Sequence, residues 1–323
     1  MKKTLLGVVG ITLVSCALNL HAQSEWPTRP VTMIVPFPPG GGTDAFARPL
    51  AGLLPKQIGQ QILLDNRGGA GGTIGAAVAA RAAGDGYTFF IGAVHHAIAP
   101  SVYNKLDYNL QQDLIPITSL AHVPQVVVVN PQRVKATTLK EFIAMAQKDP
   151  GRTTFGSAGG GTSHHLAGEL FQIVTGTKML HVPYKGAGPA LIDLIGGQID
   201  SMFDGLGSSS AHIRGGKLKA LAVAGPKRAE AFPDIPTTAE AGLPAFSVAT
   251  WYGIWAPKGT PARINDRLQR EVATFLALPE VKTLWFNQGA APGGESSASF
   301  TAFVNVEVEK WAKIAKTSGA RAE

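Results

Sequence analysis

Only one cysteine occurs in the 323 residues, Cys16, and it lies in the N-terminal apolar run. Cleavage beyond that run would remove it and lipid attachment would consume it, so disulfide frameworks and thiol chemistry are excluded. Outside residues 5–14 no stretch approaches the roughly 18 apolar residues that a transmembrane helix wants. No HExxH pattern and no cysteine set occurs, which leaves metal catalysis without a recognisable ligand frame. No basic run is interleaved with aromatics. The excess of 29 Lys and Arg over 22 Asp and Glu therefore reads as a solvated surface that attracts anions at long range, and nucleic-acid binding is not expected.

What is present begins with Lys2 and Lys3, followed by the apolar run 5–14 and a small-residue exit at His21 and Ala22. That order is a secretory signal, and the run is too short to span a bilayer. Residues 1–22 are set aside on this reading, and the mature chain is expected to be soluble and exported. Ser15 before Cys16 also fits a lipoprotein cleavage site, the secondary reading, which a mature start at Gln23 would exclude. The remaining chain of about 300 residues is too long for one ordinary core, so two domains are expected.

Apolar runs rich in β-formers recur at 31–35, 61–64, 88–91, 125–129, 218–223 and 252–256. They read as buried parallel strands. Helical patterns at 43–54, 73–82, 139–147, 164–174 and 189–195 lie between several of them, so the fold class is α/β with crossover helices. Residues 261–276 and 299–315 read as helix only, a tail expected to pack back on the first domain. The strand at 126–129 follows a loop at 121–124, and the strand at 252–255 follows a Gly/Pro-bearing stretch at 242–247. If both carry the chain between lobes, residues 125–248 form lobe 2, inserted into a lobe 1 built from 23–124 and 249–323. Two such hinge crossings place a ligand cleft between two α/β lobes.

The segment VPFPPGGGTDAFARPL, residues 35–50, leads a strand through glycines into a helix. Backbone N–H groups converge at such a turn, and the helix adds roughly half a positive charge, so an anion is favoured there. It is not the ATP-type phosphate loop, because no Lys-Ser or Lys-Thr follows Gly42, and it lacks the dinucleotide glycine spacing. The device occurs twice: Gly40, Gly41, Gly42 and Thr43 are echoed by Gly159, Gly160, Gly161 and Thr162, one copy in each expected lobe. Two helix N-termini are thus expected to grip one anion across the cleft. A third cluster, Gly68 to Gly72, reads as a structural turn.

The pairs His95-His96 and His164-His165 invite a metal reading. Adjacent side chains point apart on strands and diverge by about 100° on helices, so neither pair supplies two ligands to one ion. His165, about one turn into its helix, is a candidate ligand donor. His95 and His96, after the strand at 88–91, are candidates for the cleft edge. Ser157 does not sit in the Gly-x-Ser-x-Gly frame of a nucleophile elbow. Asp44 and Asp204 are candidate polar cleft residues, Asp44 with helix N-terminal charge compensation as its plain alternative.

Seven ordered motifs, among them PTRPVTMIVPFPPGGGTDAFAR, FGSAGGGTSHHLAGELF, HVPYKGAGPALIDLIGGQID and WYGIWAPKGTP, resemble the tripartite tricarboxylate transporter substrate-binding proteins, the Bug family. The resemblance implies a periplasmic binding protein, type II-like, whose lobes close like a flytrap on a small carboxylate. It implies that Phe37, Pro39, Gly40, Gly41, Thr43 and Asp44 on one loop, and Ser157, Ala158, Gly161, Thr162 and His165 on the other, hold the carboxylate through amides, hydroxyls and water. His95 and His96 are then expected at the far end of the ligand, with Asp204 beside the cleft. The implied partners are the two membrane subunits of the transporter, for a protein that acts as a monomer with no catalysis, metal or cofactor. The alternatives are a ligand sensor feeding a membrane signalling receptor and a periplasmic hydrolase.

Overall fold

A computed structural model describes residues 26–319, 321 and 322. The signal expected at 1–22 and the cleavage question at Cys16 lie outside the described residues. In chain order the first elements are β1 (Val31–Val35), α1 (Gly42–Leu53), α2 (Pro55–Ile58), β2 (Ile62–Asn66), α3 (Thr73–Ala80), β3 (Thr88–Ala93), α4 (Val94–Val102) and α5 (Leu110–Asp113). They are followed by β4 (Leu114–Val129), α6 (Leu139–Lys148), β5 (Thr154–Ser157), α7 (Ser163–Thr175), β6 (Leu180–Pro183), α8 (Ala187–Ile195), β7 (Ser201–Gly205), α9 (Leu206–Arg214) and β8 (Lys219–Val223). The last are β9 (Ala249–Pro257), α10 (Ala262–Ala277), α11 (Pro279–Asn287), β10 (Ala291–Pro292) and α12 (Ser297–Ser318).

The strands follow the order β2-β1-β3-β9-β4-β7-β5-β6, with β8 and β10 also paired to β4. β1 runs parallel to β2 and β3, and β5 runs parallel to β6 and β7, as crossover helices require. The expectation of parallel pairing fails at three of the six strands read from the sequence. β9 is antiparallel to β3 and β4, the C-terminal part of β4 is antiparallel to β7, and β8 is antiparallel to β4. β4 and β9 carry the chain between the two parallel groups in opposite directions, and that return forces the antiparallel contact.

The loop expected at 121–124 is strand. β4 is continuous over 16 residues because LIPITSLAHVPQVVVV supplies β-branched residues on both sides of Pro124. Register explains how the proline fits: Pro124 is opposite Ala249 of β9, and Gln125 is already opposite Gly205 of β7. Pro124, which has no N–H to donate, thus sits where β4 exchanges one partner for the next. Gln125 N–H donates to the Val248 carbonyl across the same point.

One contiguous buried cluster runs past this crossing. Phe155, Phe171, Phe203 and Phe246 pack as aromatic neighbours around β5, α7 and β7. Phe90, Trp251, Trp255 and Phe300 do so where α12 covers β9. The tail is anchored there by the buried Glu307, whose Oε2 accepts from Trp251 Nε1 at 2.9 Å and Trp311 Nε1 at 3.0 Å.

Candidate ligand-binding site

The chain enters α1 through Gly40, at φ 88°, a left-handed turn that glycine adopts without strain. The N-cap is Gly41, which has no side chain to cap the helix. Ala45 N–H is the first to find a helical acceptor, the Gly41 carbonyl. The N–H groups of Gly42, Thr43 and Asp44 therefore have no intrahelical acceptor. Asp44 shapes this mouth from inside the protein: its buried Oδ2 accepts from Gly40 N–H at 2.9 Å and from Arg48 Nε at 2.6 Å. It thereby occupies one loop amide.

The echo loop behaves differently. Gly161, at φ 72°, makes the corresponding turn, but three of the loop's amides have partners within the protein. Gly159 N–H donates to Ser157 Oγ, Gly161 N–H to His165 Nδ1, and Thr162 N–H to the Gly159 carbonyl. The Thr162 hydroxyl also donates to Gly159 O, at 2.7 Å. His165 stacks on His181 with centroids 4.1 Å apart and stays off the cleft wall. The open partner of α1 is instead the mouth of α8. There Gly186 caps without a side chain, and Gly188 comes so near Pro39 that an added Cβ would lie 2.3 Å from its carbonyl oxygen. Ala187 and Gly188 are the uncapped amides of this third mouth, since Pro189 has none.

Between the mouths of α1 and α8 lies a small cavity lined by Phe37, Gly41, Gly42, Thr43, His95, Ala158, His164, Ala187 and Tyr252. Its volume is about 10 Å³, room for about one water molecule. A larger groove of about 620 Å³ runs behind the crossing past Pro124, Arg228 and Phe286. Among the described residues no buried side-chain polar atom without a partner belongs to that groove's lining, whereas the small cavity is lined by His164, whose buried Nδ1 has no partner, and Asp204, with an unpartnered Oδ1, stands beside His164.

The sequence-predicted residues divide accordingly. Phe37, Gly41, Thr43, His95 and Ala158 line the cavity; Pro39, Gly40 and Asp44 shape the α1 mouth; Ser157, Gly161, Thr162 and His165 brace the second loop. His96 lies elsewhere: it is fully buried, its Nδ1 accepts from Ala93 N–H at 3.0 Å, and it caps the start of α4. Burial lowers its pKa to about 4, so the ring is neutral. Ser157 Oγ lies 2.6 Å from His181 Nε2, the spacing of a nucleophile and its base. The same oxygen accepts from Gly159 N–H and lies off the cavity wall, so it reads as a turn brace.

His164, Tyr252 and the 186–188 mouth are not among the ligand-binding residues the sequence singles out. His164 Nε2 stands 3.6 Å from Asp204 Oδ1, and burial lowers its pKa although Asp204 opposes the shift. Asp204 Oδ2 accepts from Ser208 and Ser209. Tyr252 is pushed above its ordinary pKa by burial and by Asp204, so its hydroxyl keeps its proton. Among the described residues no group of three His, Cys, Asp or Glu side chains is placed to hold a metal ion.

Residues 46–320 match the family described as tripartite tricarboxylate transporter family receptor. The chain belongs to that family. It is 37% identical over 320 residues to protein BugT of Bordetella pertussis, covering 98% of each chain. Among solved structures it is similar to the R. palustris protein Rpa4515 with adipate, at 37% identity and TM-score 0.89, over 92% of this chain and 99% of that one. It is also similar to MatC from Rhodopseudomonas palustris with bound malate, at 33% identity and TM-score 0.85, over 90% and 99%. The receptor thus has a periplasmic binding protein fold, and no helix among its described residues is long and apolar enough to cross a membrane.

Proposed function

We propose that this receptor captures a small carboxylate between the mouths of α1 and α8 and hands it to the membrane subunits of a tripartite tricarboxylate transporter, without chemistry on the ligand. The observation that carries the reading is the pair of helix N-termini without side-chain caps, α1 and α8, that meet at one buried cavity, where N–H donors and helix ends favour an anion. Hydrogen bonds to a charged group contribute roughly 1.5–3 kcal/mol each. Four from Gly42, Thr43, Ala187 and Gly188 give about 6–12 kcal/mol, to which each helix end adds about 0.3–2, a gross sum that leaves a ligand of micromolar order only when closure costs are small. Relatives solved with adipate and malate are in keeping with a carboxylate.

Entry requires opening, because the cavity holds about one water. We assign the motion to two lobes, residues 26–124 with 249–319 and residues 125–248, hinged where Pro124 and Gln125 change strand partners and where Val248 leads into β9. His95 Nδ1, which accepts from Ser163 N–H, and Tyr103 OH, which donates to the Gly160 carbonyl, then latch the closed form. A thermal-shift screen of carboxylic acids tests the reading. A stabilising carboxylate recovered unchanged is the expected result; turnover of the hit, or no carboxylate hit at all, would sink it.

A further inference from the structure

His95 and His164 both line the cavity and meet edge to face, ring centroids 5.5 Å apart. On His95, Nδ1 accepts from Ser163 N–H at 3.0 Å, so in the neutral ring Nε2 carries the hydrogen. On His164, Nε2 is the nitrogen turned to Asp204 Oδ1, 3.6 Å away and short of a hydrogen bond, and the carboxylate's field favours the neutral tautomer with its hydrogen on Nε2. His164 Nδ1 is thereby left as a buried lone pair without a hydrogen-bond partner, and Asp204 Oδ1 is a second buried acceptor without one. Burial is the main cause holding both rings below their ordinary pKa.

We propose that His95 and His164 form the second half of the ligand site and select a hydroxycarboxylate, whose hydroxyl accepts from His95 Nε2–H and donates to His164 Nδ1. The inference rests on the carboxylate reading above. A hydroxyl is the small group that both donates and accepts, and a buried acceptor left unmatched is costly. A second carboxylate in that place would face the His164 lone pair and the Asp204 charge with no proton to offer either. An ammonium would satisfy His164 but would point a hydrogen at His95 Nε2–H. Asp204 acts as a positioning residue, fixing the His164 tautomer from behind while Ser208 and Ser209 hold its other oxygen.

Titration calorimetry with pairs differing in one hydroxyl tests this: lactate and propionate, malate and succinate, citrate and tricarballylate, with aspartate as the amino counterpart. In any pair that binds, the hydroxyl member is expected to bind at least tenfold tighter, and malate at least tenfold tighter than aspartate. In His164→Phe, shown folded by circular dichroism, the preference within the pair falls to about twofold. Equal or reversed affinities in the wild type overturn the selection, as does a tenfold preference that survives His164→Phe. Binding of adipate with no response to any hydroxyl member overturns the selection and leaves the carboxylate clamp standing. Silence towards every carboxylate overturns both.

Discussion

Gly188→Ala separates closure from folding. Gly188 lies inside α8 at an ordinary helical angle, so alanine fits the local backbone and gains roughly 0.5–1 kcal/mol of helix propensity. Across the cleft the new methyl would sit 2.3 Å from the Pro39 carbonyl oxygen and 3.3 Å from Gly41 N. Both are backbone atoms of the α1 mouth and neither is a flexible side-chain end. Overpacking of this kind costs about 1–3 kcal/mol, and it falls on the closed form alone if the lobes can part. The ligand must then supply that energy, which weakens the affinity by about 5–150-fold. Titration calorimetry with a carboxylate found in the thermal-shift screen measures the loss, and the unliganded melting temperature should stay level or rise. An affinity within twofold of the wild type would refute the α1–α8 contact as part of the closed form. An unchanged affinity with a lowered melting temperature would show the contact to be a permanent piece of the fold.

Further outcomes follow from neighbouring groups. Tyr103→Phe removes the donor to Gly160 O at 2.9 Å; the loss of about 1 kcal/mol should weaken ligand binding about fivefold, with an unchanged affinity contradicting the latch. His96, neutral when folded with a pKa of about 4 and protonated near 6.5 when unfolded, makes the unfolded chain bind more protons between those values. Stability should therefore be full above pH 6.5 and fall by about 3 kcal/mol on acidification towards pH 4. Denaturant midpoints across that range measure it, and an equal slope in His96→Asn would remove His96 as the cause.

The glycine mouths were legible because glycine runs between strand-like and helix-like patterns have few other uses. Their wiring was not. The free or occupied state of Gly161 N–H depends on His165 reaching back to it, and Asp44 is committed to Gly40 and Arg48 by side-chain geometry. The adjacent histidines show the same limit: on a helix they diverge by about 100°, so one of each pair faces the cavity, and only packing chose His95 over His96 and His164 over His165. β5, β6 and β7 give no strand pattern in the sequence because TFGS, LHVP and SMFDG are four or five residues long and carry Gly, His, Pro or Asp. The 186–188 mouth carries a weaker signal, because Ala187 separates its two glycines whereas the loops at 40–42 and 159–161 have three in a row.

The most direct measurement is the backbone amide spectrum of the ¹⁵N-labelled protein during titration with a carboxylate hit. Capture between the helix mouths predicts downfield shifts of Gly42, Thr43, Ala187 and Gly188 as their N–H groups take up the carboxylate. Saturation of the ligand with these four resonances unmoved would contradict it.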